Sequence, residues 1–259
     1  MNRQPAVAGS FYPANPEQLH LMLDRFLSDA ATDEKVPKAI IAPHAGYIYS
    51  GPIAASAYTR LKKAHDRITR VVLIGPSHRV AFRGLAVSRA ETFTTPLGRI
   101  LVDQAAVRTI VQLPFVEYIE QAHTYEHSLE VHLPFLQEVL DDFKIVPIVA
   151  GEASPEQVSQ VLDTLWGGDE TLIVISSDLS HYHDYATAKQ IDDSTSRTIE
   201  QLQYEQLASE SACGKVPVSG LLKLARKKSL SVTNIDLRNS GDTAGDKASV
   251  VGYGAYVIE

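Results

Sequence analysis

Arg70-Val71-Val72-Leu73-Ile74-Gly75-Pro76-Ser77-His78, residues 70–78, is an apolar, β-branched run closed by turn chemistry and a histidine. The run is too short for a buried helix, and it lacks the polar alternation of a half-exposed strand. It therefore reads as a strand covered on both faces, as in a mostly parallel sheet. Ile40-Ile41 and Leu172-Ile173-Val174-Ile175 repeat the pattern.

Working outward, strands are expected at Ala39–Ala42, Arg70–Ile74, Gly84–Val87, Arg99–Val102, Lys144–Val149, Thr171–Ser176, Ser231–Leu237 and Val250–Ile258. Helical periodicity fills the intervals at Pro16–Phe26, Pro52–Lys63, Gln104–Gln112, Leu129–Leu140, Pro155–Leu165, Tyr185–Gln206 and Val218–Arg226. Pro16, Pro52 and Pro155 are placed at helix starts, where a missing N–H costs nothing. Thr94-Thr95-Pro96-Leu97-Gly98 is read as the turn of a β-hairpin within residues 84–103. The alternation of strand and helix gives an α/β fold with a mostly parallel mixed sheet, and no linker divides residues 1–259.

Composition narrows the function. With 24 Lys+Arg against 31 Asp+Glu the formal charge is −7, so no nucleic-acid partner is expected, because phosphate neutralisation needs clustered cations. Arg226-Lys227-Lys228 reads as a favourable charge at a helix C-terminus. A single cysteine, Cys213, excludes an intrachain disulfide and a multi-cysteine zinc site. The proline-bearing start has no signal-peptide pattern, and no apolar run approaches the roughly 20 residues that span a bilayer. A cytoplasmic protein with no membrane association is the expectation.

The chemistry-bearing residues follow strands. Ala39–Ala42 runs into Pro43-His44, Arg70–Ile74 into Ser77-His78, Thr171–Ser176 into Ser177-Asp178-Leu179-Ser180-His181, and Ser231–Leu237 into Asn239-Ser240-Gly241-Asp242. Ligands of open α/β sheets bind at the carboxyl ends of strands, so these groups are expected to share one cleft. His44, His78 and Asp242 would make a two-histidine, one-carboxylate metal set suited to iron(II), and zinc would accept the same donors. Asp178 and His181 are then acid/base candidates. His127 is a third, at the mouth of a helix expected to start near Ser128. Cys213 reads as a buried, apolar-type side chain, with a nucleophilic thiol at a helix N-terminus as the alternative.

Ala8-Gly9-Ser10-Phe11-Tyr12-Pro13, Pro43-His44-Ala45-Gly46-Tyr47, Gly75-Pro76-Ser77-His78, Glu126-His127-Ser128-Leu129-Glu130, Ser176-Ser177-Asp178-Leu179-Ser180-His181 and Ala212-Cys213-Gly214 closely resemble, in order, motifs of the Memo family, whose prokaryotic members are also termed AmmeMemoRadiSam system protein B. The resemblance covers nearly the whole chain. It implies a fold like the class III extradiol dioxygenases, non-haem iron enzymes, with His44 and His78 as metal ligands and Asp178 and His181 in the pocket. Animal members carry a cysteine as third ligand. Here Asp242 is aligned to that place, with Asp246 as the substitute, which implies a harder, nitrogen-and-oxygen site. Iron(II) is the implied metal, with copper or zinc as alternatives. The resemblance further implies pathway partners of the AMMECR and radical-SAM types and a small-molecule or peptide ligand. A non-catalytic scaffold keeping a vestigial pocket is the competing reading.

Overall fold

The computed structural model describes residues 1–31, 35–208 and 210–259. Among these, twelve strands form one mixed sheet: β1 (Asn2–Arg3), β2 (Ala39–Ala42), β3 (Arg70–Pro76), β4 (Leu85–Val87), β5 (Thr92–Thr95), β6 (Gly98–Val102), β7 (Val116–Tyr118), β8 (Lys144–Ala150), β9 (Thr171–Ser176), β10 (His181–His183), β11 (Val232–Asn239) and β12 (Val250–Ile258). The helices are α1 (Pro16–Asp29), α2 (Tyr47–Tyr58), α3 (Gln104–Ile110), α4 (Glu120–Thr124), α5 (Leu133–Val139), α6 (Pro155–Thr164), α7 (Tyr185–Glu200) and α8 (Lys215–Lys227). This is the expected α/β class.

The centre of the sheet is the parallel set β8-β3-β9-β2. Its residues from Val71 to Ile74 and from Leu172 to Ile175 are buried on both faces, which is why their sequence does not alternate. Beyond β2 the direction reverses: β12 is antiparallel to β2, and β11 is antiparallel to β12. The core is one apolar cluster running through both faces of this sheet.

Local chemistry sets the helix starts. Asn15 accepts from Gln18 N ahead of Pro16, and Leu19, Leu23 and Leu27 bury one stripe of α1. Ser154 and Gln157 form a reciprocal capping box on α6. Two expectations need correction. Helix α2 begins at Tyr47, so Pro52 lies inside it and removes one intrahelical hydrogen bond instead of opening the helix. The hairpin is β5–β6, whereas Leu85–Val87 pairs with β7 and β8. The turn lies where expected, but the strand entering it is Thr92–Thr95.

Candidate metal centre

Four segments meet above the carboxyl ends of β2, β3 and β9. His44 stands between β2 and α2, His78 follows β3, residues 126–130 precede α5, and Cys213 lies two residues before α8. His44, His78 and Cys213 each offer a donor atom, all within 4.8 Å of one another. The Cys213 Sγ is 3.2 Å from His44 Nε2, and the two imidazoles meet edge to face with centroids 5.1 Å apart. Donors held at roughly 2.0–2.3 Å by one ion stand about 3–4 Å apart, so the 3.2 Å pair of Cys213 and His44 fits a metal.

The thiol gets there because the chain before α8 lies against the end of β9. A Cβ on Gly214 would sit 2.5 Å from the Ser176 carbonyl oxygen and 2.6 Å from Ser177 Cβ, so only glycine allows the approach. Asp178 ties the two sides together. Its Oδ1 accepts from His44 N at 2.7 Å, and its own N–H donates to Cys213 Sγ at 3.2 Å. Burial pushes the Asp178 carboxyl up to about 7, against the hydrogen bonds from the His44 and Ala45 N–H groups. Burial also raises the Cys213 thiol, with the Asp178 charge adding to the effect.

Each imidazole is held from behind. His44 Nδ1 lies 2.6 Å from Ser176 Oγ, which donates to the Ser128 carbonyl oxygen at 2.6 Å. His78 Nδ1 lies 2.8 Å from Glu126 Oε1, and Glu126 also accepts from His78 N and Ser128 N. Burial would raise the Glu126 carboxyl, but these hydrogen bonds outweigh it and bring it down to about 2. Burial, with His78, His127, His132 and His181 nearby, depresses His44 and keeps it the neutral base a metal needs.

The acid/base candidates surround this group. His127 stacks on His78 at 4.5 Å between centroids and is pushed by burial, then by His78, down to about 4. His181 is half-buried, with Nδ1 2.8 Å from the Leu179 carbonyl oxygen, and burial lowers it too. Glu126 also forms a donor group with His78 and His127, but its oxygens already receive three N–H groups from His78 and Ser128.

The carboxylate expected as third ligand lies elsewhere. Asp242 Oδ1 accepts from Tyr185 Oη at 2.6 Å and Oδ2 from Asn239 N at 2.9 Å, closing a capping box around residues 239–242. Asp246 accepts from Ala248 N. Neither belongs to a donor group with His44 and His78 among the described residues. Strand β11 does point the same way as β2, but β12 runs between them. Two strand spacings set their ends roughly 10 Å apart. Among the described residues Cys213, and not Asp242, forms the donor group with His44 and His78, and a thiol is a softer donor than a carboxylate. The signals that could have found it are the Ala212-Cys213-Gly214 motif and the glycine beside the thiol.

Cys213 also lines an open cavity of about 480 Å³ floored by Pro76, Ser77 and Ala150–Glu152, with Val80, Phe82 and Val216 on its walls. Among the described residues, no helix is long and apolar enough to cross a membrane.

A family model described as "Memo-like protein" matches residues 3–257. A "MEMO1 family protein" of Aquifex aeolicus is 37% identical over 264 residues, covering 97% of each chain. One from Methanosarcina mazei is 38% identical over 270 residues, covering 99% of each. One from Sulfolobus acidocaldarius is 35% identical over 278 residues, covering 98% of each. With the match running from β1 to β12, the chain belongs to the Memo family.

Proposed function

We propose that the chain is a metal-dependent oxidoreductase whose single ion is held by His44, His78 and Cys213 and whose substrate is a small organic molecule. The observation that carries this is the 3.2 Å approach of Cys213 Sγ to His44 Nε2, with His78 completing the donor group. Two imidazoles and a thiolate suit iron or copper, and the thiolate readmits copper beside the iron(II) that a nitrogen-and-oxygen site would favour. A bound redox-active ion would supply electron transfer and Lewis acidity.

The remaining chemistry belongs to this chain. The open cavity at Cys213 is of the size that takes a small ligand, with Val80, Phe82 and Val216 as its apolar lining and Ser77, Arg83 and Glu152 as its polar one. His127 is kept neutral by burial and can accept a proton beside His78. His181, whose Nδ1 is committed to the Leu179 carbonyl oxygen, offers its other nitrogen for the same task. Asp178, held near neutrality, can keep or release a proton between His44 and Cys213.

Metal analysis of anaerobically purified protein tests the reading. About one iron or copper per chain is expected, lost in His44→Ala and Cys213→Ala, with oxygen uptake on a catechol-type panel. Failure to take up either ion after loading would overturn it. One observation favours a second reading, a binding protein with a vestigial pocket: the thiol and His44 satisfy each other without an ion, and burial keeps the thiol protonated. In that case His44→Ala leaves ligand binding intact.

A further inference from the structure

Each of the two histidines uses its Nδ1 away from Cys213, and both sets of contacts lead to the same short strip of chain. Ser176 has one hydroxyl proton, and it goes to the Ser128 carbonyl oxygen at 2.6 Å. Toward His44 Nδ1, also at 2.6 Å, Ser176 Oγ can then only accept, so His44 carries its proton on Nδ1. The Glu126 carboxylate is an acceptor only, so His78 also donates from Nδ1, at 2.8 Å. In both rings Nε2 is left as the lone-pair nitrogen. For His44 that nitrogen is the one 3.2 Å from Cys213 Sγ.

The strip is itself clamped. Ser128 Oγ donates to the Pro76 carbonyl oxygen at 2.8 Å, binding it to the end of β3 just before His78. A Cβ on Gly75 would stand 2.6 Å from that hydroxyl oxygen, so the contact needs glycine there. From the other side Arg3 donates to the Glu126 carbonyl oxygen at 2.7 Å and pairs with Glu130, both in the buried interior. Glu130 also receives the N–H groups of Ala6 and Val7 and the Tyr12 hydroxyl.

We infer that residues 126–128, anchored by Arg3, are the positioning strip of the metal centre: Glu126 directly, and Ser128 through Ser176, fix His78 and His44 as Nδ1–H tautomers and present Nε2 of both to the ion. The inference rests on the proposed metal site for its purpose but not for its geometry. Such partners fix a ligand ring's tautomer and orientation, and losing one costs 10–100-fold in metal affinity.

The test begins with the metal-free wild-type protein, in which long-range ¹⁵N–¹H NMR reads the tautomer of each ring. Nδ1–H is expected for both His44 and His78, and Nε2–H at either overturns the inference. Cobalt(II) is then titrated into wild type, Glu126→Gln and Ser176→Ala, followed by the thiolate-to-cobalt charge-transfer band. A neutral amide cannot accept all three N–H groups that Glu126 accepts. The His78 tautomer should therefore shift in Glu126→Gln, with cobalt affinity about 10–100-fold weaker. In Ser176→Ala the change should appear at His44. Unaltered tautomers and affinity in both folded variants would overturn the proposal. If wild type shows the expected tautomers but takes up no cobalt(II), the metal reading fails while the positioning geometry stands.

Discussion

Two loops present carboxylates beside serines at the ends of the sheet, and they behave oppositely. In residues 126–130 both glutamates are fully buried and bind partners far away in sequence: Glu126 holds His78, and Glu130 holds Arg3, Tyr12 and the N–H groups of Ala6 and Val7. In residues 239–247 the aspartates serve nearby backbone, Asp242 closing on Asn239 and Asp246 on Ala248, and the distant partner of Asp242 is the partly exposed Tyr185 hydroxyl. A carboxylate that caps backbone within its own loop, in a partly exposed setting, shapes that loop. One buried with distant partners holds separate parts of the fold in register.

The largest expected effect comes from breaking the buried side of that contrast. Glu130→Ala leaves the Arg3 guanidinium without its ion-pair partner in an enclosed site, and removing one member of a buried pair typically costs about 3–5 kcal/mol. Urea denaturation should show a loss of that size. Arg3→Met with Glu130→Met removes the unpaired charge but still leaves the Ala6 and Val7 N–H groups and the Tyr12 hydroxyl without their acceptor, so it should recover only part of that loss. A loss below about 1 kcal/mol for the single variant would mean that the N-terminal segment is not held by this pair.

A second difference is acid sensitivity. His132 continues the buried loop. Its Nδ1 lies 2.8 Å from the Tyr58 hydroxyl, its Nε2 finds no partner among the described residues, and burial pushes it down to about 3. Unfolded, it would titrate near 6.5. The unfolded state therefore binds the proton first, so the stability from the neutral ring is fully present above pH 6.5. It is lost progressively as pH falls from there towards 3. One proton corresponds to a slope of about 1.4 kcal/mol per pH unit at mid-window. The Tyr58→Phe, His132→Phe double variant leaves no orphaned hydroxyl and should flatten stability against pH by about that slope between pH 6 and 4. An unchanged slope would place the acid sensitivity elsewhere.

The same contrast explains what could be read from the sequence. Ala39–Ala42, Thr171–Ser176 and Val250–Ile258 form strands at the expected bounds because apolar runs between turn residues are local signals. β1 and β7 are not legible in the sequence because two or three residues at a sheet margin carry almost no pattern. His44, His78 and Asp178 converge as expected, since parallel β2, β3 and β9 end on one edge. Asp242 follows from the same edge rule but lies outside the donor group among the described residues, because strand direction is inferable from sequence pattern while lateral strand order is not. Cys213 joins His44 across 169 positions through a contact that only the packing of Gly214 on β9 creates.

The smallest expected effect is the most discriminating for the loop comparison. Asp242→Ala removes the side chain that caps Asn239 N and receives the Tyr185 hydroxyl, both in a partly exposed setting. Losing such a cap costs about 1 kcal/mol. Tyr185 can turn its hydroxyl to water, so the loss of stability should not exceed that. Because both Asp242 oxygens are taken by Asn239 N and the Tyr185 hydroxyl, metal stoichiometry and affinity should match wild type, measured by cobalt(II) titration beside Cys213→Ala. If Asp242→Ala instead lost the ion while Cys213→Ala kept it, the loop would have to reach across β12 on metal binding. The donor set would then be the two histidines and a carboxylate.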